Sequence, residues 1–434
     1  MAIRKRVGEI RDPIHGYIFM TDVEKELIDS RPLQRLRRLK QLAGAHLSYP
    51  GAEHSRFVHS LGVMHLAGIL ANRLMQMGYI SEDEVQKMRV AGLLHDIGHG
   101  PFSHIYEEVL DKHRKMTHED VSQWLIKESE VKDVLNRYGY SAEELSKLSV
   151  GLLEKTSKPF MNQIIASQFD VDIMDFLVRD SYFTGVEYGK VDIYRLIDSV
   201  DVINDALVID VAASYALEAF IIARYEMFKA VYFHRTVRAA EIMAIRAMEY
   251  ANDKLGLTRF KVPDDYLQLD DSSVLLGLLS LKNEKDRKLK VAYNLARMFN
   301  DRQLFKCAYE MIIHRRDEFF TSILSREEIR NQIAKEMSEK TGVDPDYLVI
   351  DVPTVPSVPY YPMSRRQVDI PIFHKQPDGS KTVQSLSEVS HLVDTLKGYM
   401  DVIRVYTTSQ YRDKVRKIAD ETFGKKPYST RVSY

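Results

Sequence analysis

The stretch from Ser81 to His104 leaves this chain little freedom. Ser81-Glu82-Asp83-Glu84 reads as a capping box that starts a helix. Val85, Met88, Ala91, Gly92 and Leu94 then give that helix a face to bury. The face runs into His95-Asp96, and Gly98, Gly100 and Pro101 break the helix just beyond. Three imidazoles and one carboxylate (His95, Asp96, His99, His104) are crowded at one helix end. Such a set suits a divalent metal ion: Mn, Mg, Fe, Ni, Co or Zn. An ion of this kind can make water a nucleophile near neutral pH. Ten of the 14 histidines lie in the first 118 residues, a bias expected of a metal or acid–base site.

The rest of the composition narrows the chemistry. With one cysteine, Cys307, no intrachain disulfide and no cysteine-rich zinc site can form, so any metal is held by His and carboxylate. That usage fits a reducing, cytoplasmic setting. A formal net charge of -1 gives no whole-molecule attraction to nucleic acid or anionic membrane. No run of 18 apolar residues occurs, so no membrane span is expected. The basic N-terminus lacks the apolar core of a signal peptide.

The pattern along the chain predicts a mainly α protein with a smaller C-terminal α+β domain. A helical core over 1–340 and an α+β unit over 341–434 are the expected divisions. Asp12-Pro13-Ile14-His15-Gly16 is turn chemistry within a short hairpin. Ser30 or Asp29 could cap a helix through Leu33, Leu36, Leu39 and Leu42, with Arg35, Arg37, Arg38 and Lys40 as its solvated face. A second helix is expected from about Arg56 to Gly78. Further helical pieces are predicted over 142–153, 160–180, 192–204, 214–250 and 288–299. Beyond 340 the pattern gives a strand over 347–352 and a Pro-rich loop over 353–362. A hairpin follows around Gln376-Pro377-Asp378-Gly379, then a helix near 388–398 and a strand over 401–406.

Four residues are candidates for one metal: His59, His95, Asp96 and Asp172. His95 and Asp96 diverge by roughly 100° on a helix, yet the longer imidazole can converge with the shorter carboxylate on one ion. Asp172 and Asp175 share a helix face. A lone helical histidine is ordinarily hydrogen-bonded or exposed, the reading given to His46, His65, His113, His314, His374 and His391.

Taken together, these segments resemble the HD-domain metal-dependent phosphohydrolases, in particular their deoxynucleoside triphosphate triphosphohydrolase branch. The resemblance rests on Asp12-Pro13-Ile14-His15-Gly16, Gln34-Arg35-Leu36-Arg37, Lys40-Gln41-Leu42, Tyr49-Pro50-Gly51-Ala52 and Arg56-Phe57-Val58-His59. It continues through His95 to His104, Thr117-His118-Glu119, Asp170 to Gly185 and Arg224 to His234.

The resemblance implies that His59, His95, Asp96 and Asp172 hold the metal. It gives Arg56, His99, His104 and His118 to phosphate contact or proton relay, with Glu107 orienting a histidine. Gln41, Leu42, Asp180, Arg224 and Tyr232 match positions that face sugar, base or phosphate. Asp29, Gln34 and Arg37 match a guanine-nucleotide activator site, and a homo-oligomer is implied. The implied chemistry is water attack at the α-phosphorus, with nucleoside and tripolyphosphate as products. His104, or else His118, protonates the departing 5′-oxygen.

Three positions depart from the pattern. Ile173 stands where Lys or Arg is common, Phe176 where Tyr is, and Gly8 where a phosphate-binding Lys is. Two other readings therefore stay open. One is an HD phosphohydrolase acting on a nucleoside mono- or diphosphate or a signalling nucleotide. The other is a non-catalytic nucleotide sensor or single-stranded nucleic-acid binder, supported by the basic cluster Arg35, Arg37, Arg38 and Lys40.

Overall fold

The computed structural model describes residues 6–154, 156–314, 323, 324, 326–352, 370–396 and 400–424. A hairpin of β1 (Gly8–Asp12) and β2 (Gly16–Met20) opens the chain, and the Asp12 carboxylate accepts the turn N–H groups of Ile14 and His15. Then come α1 (Asp22–Asp29), α2 (Arg31–Arg35), α3 (Arg56–Gln76), α4 (Glu82–Leu94), α5 (His104–Arg114) and α6 (His118–Glu128). Three short helices, α7 (Glu130–Arg137), α8 (Ala142–Leu148) and α9 (Phe160–Ile165), lead to α10 (Val171–Thr184). The Ser81 capping box of α4 forms as expected. Helix α3 packs along α4 and crosses α10, and the apolar faces of all three are buried in one core.

The second half continues with α11 (Ile193–Asp198), β3 (Val200–Ile203), β4 (Ala206–Asp210) and α12 (Ser214–Met227). A π-turn (Phe228–Tyr232) joins α12 to α13 (Arg235–Leu255). Then follow α14 (Pro263–Leu267), α15 (Asp271–Ser280), α16 (Arg287–Asn300), β5 (Lys306–His314), α17 (Glu327–Thr341) and β6 (Leu348–Asp351). The last described elements are β7 (Pro371–Lys375), β8 (Lys381–Ser385), α18 (Leu386–Val389), α19 (His391–Leu396), β9 (Met400–Thr407) and α20 (Arg412–Phe423). The architecture is mainly α with a smaller sheet-containing C-terminal region.

Several expected elements change. The leucine-striped helix stops early: α2 tightens into a 3₁₀ turn over Leu36–Arg38, and Leu39 is already extended. Tertiary hydrogen bonds pull it out. Leu39 O accepts Arg56 N–H at 2.9 Å, and Gln41 N–H reaches His54 O at 3.0 Å. Arg35 is not on a solvated face; it is wholly buried. The piece expected over 160–180 breaks between Ile165 and Val171, where Asp170 caps α10. That over 192–204 is helical only to Asp198, then pairs as β3 with β4. That over 214–250 is interrupted at Phe233 and His234.

Strands β3, β4 and β5 are additional to the sequence expectation. Both larger sheets pair strands across residue 340. The expected hairpin β7–β8 forms, but β7 runs parallel to β4, giving the order β3-β4-β7-β8. Strand β9 lies between β5 and β6, with α17 and α20 packed on them. The Pro-rich loop falls outside the described residues. The helix near 388–398 is two short helices, α18 and α19.

Candidate active site

Helix α3 brings in His59, the end of α4 brings His95 and Asp96, and α10 brings Asp172. One ligand atom each from His59, His95 and Asp172 lies within 4.8 Å of the other two. His59 Nε2 is 2.9 Å from Asp172 Oδ1, and His95 Nε2 is 3.7 Å from the same oxygen. Asp96 joins them, 3.3 Å from His95 Nε2 and 3.7 Å from His59 Nε2. Both imidazoles have their tautomer imposed. His95 Nδ1–H donates to Gly92 O at 2.8 Å, and His59 Nδ1–H donates to Asp175 Oδ2 at 2.8 Å. Each Nε2 lone pair is thus turned to the centre, as a ligand requires.

The residues fit a divalent cation. His95 Nε2 is buried with no hydrogen-bond partner among the described residues. Burial alone would push His59 down, but Asp172 and Asp175 outweigh it and raise its pKa to about 10. A field that negative favours any cation placed there.

Behind His59 runs a relay that sequence reasoning only half anticipated. Asp175 accepts from His59, from Arg179 at 2.8 and 2.9 Å, and pairs with His15 Nε2 at 2.6 Å. Arg179 in turn donates to Asp12 at 2.8 Å. The shared face of Asp172 and Asp175 was visible in the sequence. The partnership with Asp12 and His15 was not, because those residues lie about 160 positions away.

Beside the metal group, Arg56 is almost fully buried. It donates Nη1–H to Asp96 at 2.5 Å and Nε–H to Ser103 Oγ at 2.7 Å. His99 Nε2 is 3.3 Å from Asp96, and the His99 ring stacks on His118 at 3.9 Å. His104 meets His99 edge-on at 5.0 Å, with its side chain 72% exposed. Glu107 Oε1 accepts the N–H and Nδ1–H of His118, at 3.1 and 2.7 Å, and Glu107 Oε2 is 3.4 Å from His104 Nδ1. Burial would raise Glu107, but the two histidines hold it well below the usual carboxylate range. Burial, with Arg56 and His118, pushes His99 well down. Burial also opposes charge on His118, but Glu107 raises its pKa.

The remaining sugar- and phosphate-facing candidates form a second cluster. Asp180 Oδ2 accepts the Tyr232 hydroxyl at 2.7 Å, and Oδ1 accepts His54 Nε2–H at 2.7 Å. His54 was not singled out from sequence; it stacks on Phe183 at 4.5 Å. Tyr232 is carried on the π-turn, a distortion common at functional sites. Arg224 is drawn toward charge by Asp170, Asp172 and Tyr232, against a larger opposing effect of burial. Its Nε and Gln41 Oε1 are buried without partners among the described residues. Leu42 is half-buried against the core. Ile173 is buried in the core, and Phe176 meets the Tyr232 ring edge-on at 6.2 Å.

The activator candidates are only partly brought together. Arg37 donates to Gln34 Oε1 at 2.9 Å and lies 3.6 Å over the Phe57 ring. Asp29 lines a separate groove with Glu26, Glu130 and Asp133.

Metal-suited histidines and carboxylates on a helical frame, backed by a buried arginine and three further histidines, define a metal-dependent hydrolase. Comparison with known proteins gives the family. An HD domain matches residues 56–180, and an HD associated region matches residues 191–433. The uncharacterized protein YwfO of Bacillus subtilis is 31% identical, over 89% of this chain and 89% of its own. The deoxynucleoside triphosphate triphosphohydrolase SAMHD1 homolog of Dictyostelium discoideum is 32% identical, over 71% of this chain and 62% of its own. Human deoxynucleoside triphosphate triphosphohydrolase SAMHD1 is 32% identical, over 68% and 54%. Among solved structures, a hypothetical protein from Aquifex aeolicus superposes with a TM-score of 0.74 at 30% identity, over 94% of this chain and 99% of that one. A phosphohydrolase from Bacteroides thetaiotaomicron superposes with a TM-score of 0.72 at 25% identity, over 93% and 100%. The chain belongs to the HD-domain family of metal-dependent phosphohydrolases. Among the described residues, no helix is long and apolar enough to cross a membrane.

Proposed function

We propose that this protein is a cytoplasmic deoxynucleoside triphosphate triphosphohydrolase, releasing nucleoside and tripolyphosphate. The observation that carries this is Arg224. It interacts electrostatically with Asp172 and with Tyr232, whose hydroxyl bonds Asp180, and its Nε is buried without a partner among the described residues. A guanidinium donor held there suits a phosphate, with a sugar hydroxyl donating to Asp180 beside it.

A divalent ion held by His59, His95, Asp96 and Asp172 would supply charge neutralisation and an activated water. The chain's own groups do the rest. Arg56, fixed by Ser103 and Asp96, contacts the phosphate. Glu107 takes the Nδ1–H of His118 and leaves its Nε2 available for proton transfer. His104, exposed at the start of α5, protonates the departing 5′-oxygen. Gln41 and Leu42 face the sugar and base. Ile173 supplies no cation, so phosphate binding rests on Arg56 and Arg224.

Anion-exchange analysis of products, for each dNTP and NTP with Mn, Mg, Ni, Fe(II) or Co, tests this reading. Tripolyphosphate with nucleoside is the expected result. Orthophosphate or pyrophosphate instead would assign a different nucleotide, the reading that Ile173 and Phe176 favour. Replacing His95 and Asp96 together by Ala should abolish turnover while leaving the folded circular dichroism spectrum; undiminished turnover would falsify the metal assignment. We also propose a homo-oligomer activated by a guanine nucleotide at Gln34 and Arg37, with Asp29 lining the separate groove. Linear kinetics and constant size across added GTP and dGTP would overturn that.

A further inference from the structure

The loop between His99 and His104 is held from outside the matched HD domain. Phe102 and Ser103 both have left-handed φ, 58° and 59°. Residues with a Cβ keep that backbone only where their surroundings impose it. Asp271, the first residue of α15, is 8% exposed. Its Oδ1 accepts Phe102 N–H at 2.6 Å and its Oδ2 accepts Lys40 N–H at 2.9 Å. The carbonyl of Lys40 accepts the Ser103 hydroxyl at 2.8 Å, and Ser103 Oγ accepts from Arg56, which bonds Asp96. One carboxylate therefore ties the 39–41 segment to the turn that sets both Ser103 and His104. Tyr266 braces the same loop, donating its hydroxyl to Gly98 O at 2.6 Å.

We propose that Asp271 is a positioning residue for hydrolysis: by clamping the N–H groups of Lys40 and Phe102 it holds the turn that aims Arg56 and His104 at the phosphate. This rests on the phosphohydrolase reading above. Burial pushes the Asp271 carboxyl up to about 6 despite its two N–H donors, so it is ionised under assay at about pH 8. Asn keeps one acceptor but sets an amide N–H₂ against the second backbone donor. Asp271→Asn therefore loosens the turn without touching a metal ligand.

Asp271→Asn is expected to lower kcat about 10–100-fold, by more than it raises KM, with calorimetric Mn affinity within about twofold of wild type. Asp270→Asn is the control. Asp270 caps α15 through Ser273 N–H, a bond that Asn keeps, and only its exposed pairing with Arg38 is lost, so Tm and kcat should both stay close to wild type. If Asp271→Asn keeps wild-type kcat, or loses metal affinity in step with kcat, the proposal is overturned. Hydrogen exchange on the wild-type protein covers the case of a variant that does not fold. The Lys40 and Phe102 amides should be protected although both lie in loops, and exchange at open-loop rates overturns the clamp. If wild-type protein hydrolyses no nucleotide, the functional reading fails instead, and the exchange measurement still decides whether the clamp exists.

Discussion

His59 can serve as a ligand because its far nitrogen is held. Its Nδ1–H is fixed on Asp175, and Asp175 is fixed by Arg179, itself anchored on Asp12. Without that relay the imidazole could rotate, and its tautomer would be free. Asp175→Asn should therefore weaken metal binding about 10–100-fold, the usual effect of losing a carboxylate behind a ligand histidine. It also leaves Arg179 with one carboxylate fewer, so a stability loss of about 3 kcal/mol is expected. Calorimetric metal titration alongside urea unfolding separates the two effects. An unchanged metal affinity would remove Asp175 from the relay. Glu107 plays the matching part for His118, but at the edge of the cluster, where His104 stays open to solvent.

At the scale of elements, the site depends on how closely α3 and α10 approach. Gly62 sits at their crossing. A Cβ there would fall 1.9 Å from Asp175 Oδ1 and 2.5 Å from Arg179 Nη2. Gly62→Ala must push the helices apart or displace the Asp175 relay. A loss of about 1–3 kcal/mol in unfolding free energy is expected, together with weaker metal binding. Wild-type values for both, by denaturation and metal titration, would mean the crossing has slack that the geometry does not show. Gly98 has a related role at the end of α4, where a Cβ would lie 2.2 Å from both His118 O and Ser122 N. That contact seats α6, and with it His118, against the His95–His104 loop.

Across the whole molecule, buried ion pairs join segments distant in sequence, and one of them makes stability depend on pH. Burial pushes Glu24 upward, but hydrogen bonds and charge from Arg89, with help from Thr21 and Gln86, hold it below its ordinary 4.5. A depressed carboxyl contributes stability above its unfolded pKa and loses it as pH falls through the folded value. Glu24→Gln should therefore be less stable than wild type by about 3 kcal/mol near neutral pH. The gap should close as pH drops below 4.5, the unfolded reference value. Thermal unfolding at several pH values checks this, and a gap independent of pH would rule it out. What the sequence decided alone was local. The capping box, apolar stripe and Gly/Pro break around His95-Asp96 act within a few residues, and so does the spacing that puts Asp172 and Asp175 on one face of α10. The run of motifs made the family legible as well. The tertiary structure decided the rest: that Leu39 leaves its helix to meet Arg56, that Arg35 is buried beneath the His99 carbonyl, that β4 pairs with β7, and that Asp271 accepts the N–H groups of Lys40 and Phe102. Each of these is a hydrogen bond or ion pair whose partner lies far along the chain. Local propensity cannot encode such a partner; only packing brings it within reach.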